Sequence, residues 1–82
     1  MEWDYETLIA DFKDGRELEF IWNGGKYSIN CSFPDKWFFS IYSPQITFEA
    51  TSVDELISRI YFGEKGVNFK DILPSIKDST LF

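Results

Sequence analysis

Between residues 5 and 12 the apolar side chains Tyr5, Leu8, Ile9 and Phe12 recur at intervals of three and four, with Glu6, Thr7 and Asp11 between them and Lys13 beyond. That spacing is the period of an amphipathic helix. Asp4 and Glu6 sit where the helix dipole favours negative charge, and Gly15 follows as a stop. The pattern predicts a helix over about residues 4–14.

The period then drops to two. In RELEFIW, Leu18, Phe20 and Trp22 alternate with Glu17, Glu19 and Ile21; in KYSINC, Tyr27, Ile29 and Cys31 alternate with Lys26, Ser28 and Asn30. Asn23-Gly24 between these runs is a strong hairpin signal, because both residues tolerate positive φ. A two-residue turn there pairs Trp22 with Gly25, Phe20 with Tyr27 and Leu18 with Ile29, keeping one apolar face intact. SFPD turns the chain into KWFFSIY, and Ser43-Pro44 turns it again into ITFEA. Pairing Ile41 with Ile46 sets Phe39 opposite Phe48 and Trp37 opposite Ala50.

A second helix is signalled by Ser52 and Glu55, spaced as a capping box, and by the stripe Val53, Leu56, Ile57, Ile60 and Tyr61, with Gly63 as its end. Phe69 and Ile72 predict one short helical turn, broken at Pro74 and followed by a frayed end. Four strands joined by short connections must be antiparallel neighbours, since a parallel crossover needs a dozen residues or more. The expected fold is α+β: a four-stranded antiparallel meander with two helices packed on one face, in the order α-β-β-β-β-α plus a short C-terminal helical turn, as one domain over residues 1–82.

Parity divides the aromatic run KWFFSIY. Trp37, Phe39 and Ile41 join Leu18, Phe20, Trp22, Tyr27, Ile29, Ile46 and Phe48 beneath the helices. The opposite face carries Glu17, Glu19, Lys26, Ser28, Asn30, Ser40, Thr47 and Glu49, as an open sheet expects, but also Ile21, Phe38 and Tyr42. Those three are isolated surface residues, or lie under a C-terminal tail ending in Leu81 and Phe82, or form a contact surface for another protein. In the last reading Phe38, Tyr42 and Ile21 are its apolar centre, and Glu17, Glu19 and Glu49 its acidic rim.

Composition narrows the chemistry. With 82 residues the chain supports one small core, and a single cysteine and no histidine remove the disulfide and zinc staples small domains often use. Aromatic residues, 20% of the chain, supply buried area instead. The absence of histidine also removes Ser-His and Cys-His nucleophile pairs. Cys31 falls on the core face of a strand, where a thiol is packing. Neither phosphate-loop glycine pattern occurs, and no cofactor is implied. Carboxylates on a flat sheet lack the enclosing cleft that would tune them for hydrolysis. A net charge of −6 repels phosphate backbones, so nucleic-acid binding is not expected, whereas a basic protein partner suits it. MEWDYETLIADFKD has neither the basic start nor the apolar run of a signal peptide, and no stretch reaches membrane-spanning length. The cytoplasm is the expected compartment.

GRELEFIWNGGKYSI, KWFFSIY, ITFEATSVDELI and GVNFKDIL together resemble small uncharacterised proteins of Gram-positive bacteria and their phages and mobile elements. That set shares a first helix, a G-x-E-x-E-F hairpin, an aromatic third strand and an acidic D-E-L helix; here these are Gly15 to Ile29, Trp37 to Tyr42, and Asp54-Glu55-Leu56. No activity is attached to it, so the resemblance implies origin rather than residue roles: an accessory protein that modulates a host protein. The expected function is therefore a non-enzymatic intracellular protein-binding modulator. Two alternatives stand beside it. One is a phage-type inhibitor of a host defence nuclease, anti-CRISPR-like, whose acids imitate nucleic-acid phosphates. The other is a self-associating structural module, homodimeric through the open sheet face or the free edge of its first strand.

Overall fold

The computed structural model describes residues 4–32, 35–42 and 45–82. Helix α1 (Tyr5–Lys13) starts at Asp4, whose carboxylate accepts a hydrogen bond from the Thr7 N–H at 3.2 Å, and buries Leu8, Ile9 and Phe12. Strands β1 (Leu18–Trp22), β2 (Gly25–Ser32), β3 (Lys36–Tyr42) and β4 (Gln45–Ala50) follow. β1 and β2 pair in the expected register, Leu18 opposite Ile29, Phe20 opposite Tyr27 and Trp22 opposite Gly25. Asn23 and Gly24 have φ of 49° and 81°, the twist a two-residue turn demands. β3 and β4 also pair as expected, Trp37 opposite Ala50, Phe39 opposite Phe48 and Ile41 opposite Ile46. The Ser43-Pro44 turn and the Phe33-Pro34 part of the preceding turn lie outside the described residues.

The fold is α+β with an antiparallel sheet, but the sheet has five strands rather than four. Its order is β4-β3-β2-β1-β7, where β7 is Lys77–Leu81. The expected frayed tail is therefore a strand, and it occupies the edge of β1 that the sequence left free. KDSTL carries no apolar alternation, so nothing in its pattern announces a strand. It is held by Leu81, which packs against the core opposite Leu18, and by the Phe82 N–H donating to the Glu17 carbonyl at 2.7 Å.

The helical layer also differs. Helix α2 is Val53–Arg59, ending before Ile60 and Tyr61, which were expected to extend its stripe. Ile60 is extended, and β5 (Tyr61–Phe62) and β6 (Val67–Asn68) form a small hairpin that delivers Phe62 into the core. Gly63, with φ +73°, turns the chain there, and a Cβ on it would sit 3.1 Å from Trp22 Cη2. At the start of α2 the Ser52 Oγ accepts from the Glu55 N–H at 3.1 Å, but the Glu55 carboxylate reaches back to Thr51 rather than to Ser52. A third helix, α3 (Phe69–Ile72), matches the expected short turn and runs into a 3₁₀ turn over Leu73–Ser75 instead of breaking at Pro74.

The core is aromatic at its centre. Phe62 meets Tyr27 at 5.1 Å, Phe39 at 5.4 Å, Trp22 at 5.8 Å and Phe20 at 6.1 Å between ring centroids. Such offset and edge contacts each add about 0.5–1.5 kcal/mol beyond burial, which helps a domain without staples. No helix among the described residues is long and apolar enough to cross a membrane.

Two expected core residues are exposed, and three more, Trp22, Tyr27 and Ile41, are only partly buried against the core. Ile46 is 43% exposed and Phe48 39%, although both lie on the helix side of the sheet. β4 is terminal in the strand order, and α2 packs against β3 and β4, where Ala50 is buried; Ile46 and Phe48, farther along the same strand, stay partly exposed.

Candidate functional site

On the face away from the helices, residues of even and odd number meet in rows that the register fixes. One row runs Thr80, Glu19, Ser28, Ser40, Thr47; another runs Asn30, Phe38, Glu49; a third pairs Lys77, Ile21 and Lys26. Glu19, Ile21, Phe38, Tyr42 and Glu49 thus share the face predicted for them, and Glu17 continues β1 at its start.

The apolar three are not brought together. Ser40 lies between Phe38 and Tyr42 along β3, and Lys26 lies beside Tyr42, its ammonium 5.2 Å from the ring centre. Tyr42 is further tied by a 3.1 Å hydrogen bond to Ser28, whose side chain is buried and has this partner. Ile21 and Phe38 are half-buried. The tail does not cover Phe38 or Tyr42; β7 lies beside β1 and flanks only Ile21, through Lys77.

The acids are not an uninterrupted strip either. Glu19 is 3.6 Å from Lys26 and Glu49 is 3.5 Å from Lys36. These pairs are exposed, worth about 0.2–1 kcal/mol at most, but they cancel local charge. Glu17 approaches Cys31 instead. Burial first and then Glu17 push the Cys31 thiol above its ordinary value, and its S–H donates to the Gly15 carbonyl at 3.3 Å. A thiol held in its protonated form is a poor nucleophile.

Three concavities among the described residues lie elsewhere. One, of about 380 Å³, is lined by Trp22, Phe62, Gly63, Glu64 and Lys65, another, of about 330 Å³, by Tyr5, Ile57, Tyr61 and Lys70, and a third, of about 420 Å³, by Trp22, Asn23, Ser75 and Lys77. None of the three holds Glu17, Glu19, Glu49 or Cys31, so these concavities and the groups with chemical potential do not coincide.

The feature that sequence reasoning missed is the end of the sheet at β4. Backbone groups alternate sides along an antiparallel strand. Because the Glu17 carbonyl turns toward β7, the alternation carried through each register pair directs Ile46 and Phe48 at β3 and leaves Gln45, Thr47 and Glu49 pointing outward. The Glu49 carbonyl agrees, accepting from Arg59 Nη1 at 3.3 Å on that outer side. Since β4 is terminal in the strand order, no strand among the described residues pairs with this edge. Exposed Ile46 and Phe48 stand on one side of it, and Tyr42, 41% exposed, stands near it on the other. Alternation alone places Ile46 and Phe48 inside; the folded structure leaves both partly exposed on its terminal strand.

Comparison of the chain with protein-family models, with curated proteins and with solved structures finds no match.

Proposed function

We propose that this is a non-enzymatic binding protein of the cytoplasm that acts by docking a polypeptide along the open edge of β4. The observation that carries the reading is a terminal strand, with no partner strand on its outer side among the described residues, that bears two large exposed apolar side chains, Ile46 and Phe48. Strand addition supplies main-chain hydrogen bonds, and side chains at alternate positions supply selectivity. The sequence resemblance to proteins of phages and mobile elements fits an accessory role of this kind. Imitation of nucleic-acid phosphates finds less support, because Glu19 and Glu49 each have a lysine within 3.6 Å.

Site-specific photo-crosslinking tests the location. A benzoyl-phenylalanine placed at Phe48 is expected to trap a polypeptide in the native cytoplasm, and one at Phe38, on the open face, is expected to trap little. Trapping from Phe38 with none from Phe48 would move the site to the open face, with Tyr42, Ile21 and the acids around it.

A further inference from the structure

We propose that the polypeptide docked on β4 is a second copy of this chain, paired antiparallel about Thr47 to continue the sheet through a twofold axis. The inference rests on the reading of β4 as the docking edge and names its occupant.

The strand is complementary to itself. Outward-facing Gln45, Thr47 and Glu49 hydrogen-bond only with outward-facing residues, so the sums of paired positions must be even. The register centred on Thr47 opposes Thr47 to Thr47, Gln45 to Glu49 of the second copy, and Ile46 to Phe48 of the second copy. Both copies keep their helices on the same side, so the four exposed apolar side chains meet in the gap beyond the two helical layers. A register centred one residue away leaves Phe48 against Phe48 and shifts Gln45 past the end of the opposite strand.

Charge also permits it. A chain of net charge −6 repels its copy at long range, yet the contact strip is locally balanced. Glu49 is paired with Lys36 through its side chain and with Arg59 through its carbonyl, which keeps a second lone pair for the new strand. The two Glu49 residues stand four residue spacings apart, about 14 Å at 3.4 Å per residue, beyond the screening length of about 8 Å at physiological salt. The opposite edge is closed to the same reaction. β7 is interrupted by a register shift at Asp78, whose φ is +50°, and it carries Lys77, both devices that discourage edge pairing.

One strand pair with four apolar side chains falls at the small end of specific interfaces, below about 1,200 Å², so the dimer is expected to be concentration-dependent. Sedimentation of the wild-type protein should show a mass rising from 9.7 kDa toward twice that value. Added salt should strengthen the association by screening the net charge, whereas docking of a basic partner would weaken with salt. Thr47→Pro removes an outward N–H without touching the β3 ladder, and should raise the dissociation constant at least tenfold with the circular dichroism unchanged. If that variant misfolds, Phe48→Lys at the exposed side chain serves in its place. In a Cys31→Ser background, Thr47→Cys should oxidise to a covalent dimer, since paired Cα atoms about 5.5 Å apart lie within disulfide reach. Gln45→Cys should not.

A wild-type mass that stays at one chain up to millimolar concentration overturns the proposal. If crosslinking from Phe48 then still traps a different protein, the edge remains the docking site and only its occupant is wrong; if Phe48 traps nothing, both readings fall. A dimer indifferent to Thr47→Pro and to Phe48→Lys overturns the β4 interface, and a dimer in which Gln45→Cys crosslinks and Thr47→Cys does not overturns the register.

Discussion

The two edges of this sheet end differently. β7 is polar, bulged and anchored: Leu81 enters the core, the Phe82 N–H donates to Glu17, and Arg16 Nε donates to the Phe82 carbonyl at 3.2 Å. β4 is a regular six-residue strand with no partner strand on its outer side among the described residues, and Ile46 and Phe48 on it are partly exposed. Natural sheets usually blunt both edges. The proposed docking gives the second edge a use, since an apolar patch on an open edge is where a partner strand would be accepted.

The contrast predicts a graded set of effects. Phe39→Ala, at a residue 1% exposed in contact with Tyr27, Phe48 and Phe62, should cost about 3–5 kcal/mol in denaturant unfolding. Deleting residues 77–82 should cost less, about 2 kcal/mol from the lost Leu81 packing, and should leave the amides of Glu19 and Ile21 unprotected. Phe48→Ser should cost about 1 kcal/mol or less as a surface change when measured below the dimerisation range. Equal losses from Phe39→Ala and Phe48→Ser would show that β4 is as buried as β3, and the distinction between the edges would collapse.

Much of this was legible in the alternation of side chains. The hairpin registers follow because a one-residue slip would invert every face, and Asn23-Gly24 admits one turn length. What was hidden depends on tertiary competition. Nothing in KDSTL announces a strand, since its partner groups are supplied by β1 and its one anchor is Leu81. Ile60 and Tyr61 continue the helical stripe of α2, yet the chain extends there so that Phe62 can fill the space between Phe20, Tyr27 and Phe39. Neither event, nor the partial exposure of Ile46 and Phe48 on the terminal strand, can be read from side-chain parity, which assigns a face but not its cover. The face of Phe38 and Tyr42 was read correctly as a face; that Ser40 and Lys26 would interrupt it is visible only when β2 and β3 lie side by side.

The smallest expected effect is a pH dependence at the β4 end. Hydrogen bonds from the Thr51 side chain and N–H, and then the nearby Arg59, hold the Glu55 carboxyl below its ordinary value. Its contribution to the start of α2 is therefore complete above the unfolded value of about 4.3 and fades as pH falls through the lower folded one. Arg59 bridges Glu55 and the Glu49 carbonyl, so protonation should also loosen that carbonyl's contact. Amide exchange at Thr51, whose N–H donates to the Glu55 carboxylate, should rise as pH falls through that window, after correction for intrinsic rates, and Glu55→Gln should remove the dependence.

The openness of β4 and its closure by a second copy are tested together by residue-resolved amide hydrogen exchange at two protein concentrations. In dilute protein, Ile46 and Phe48 should be protected by β3 while Gln45, Thr47 and Glu49 exchange freely. At millimolar concentration Thr47 should slow markedly, with Ile46 and Phe48 little changed. Protection of Thr47 in dilute protein would mean that the edge is covered within one chain, and free exchange of Thr47 at both concentrations would mean that no second copy pairs with it.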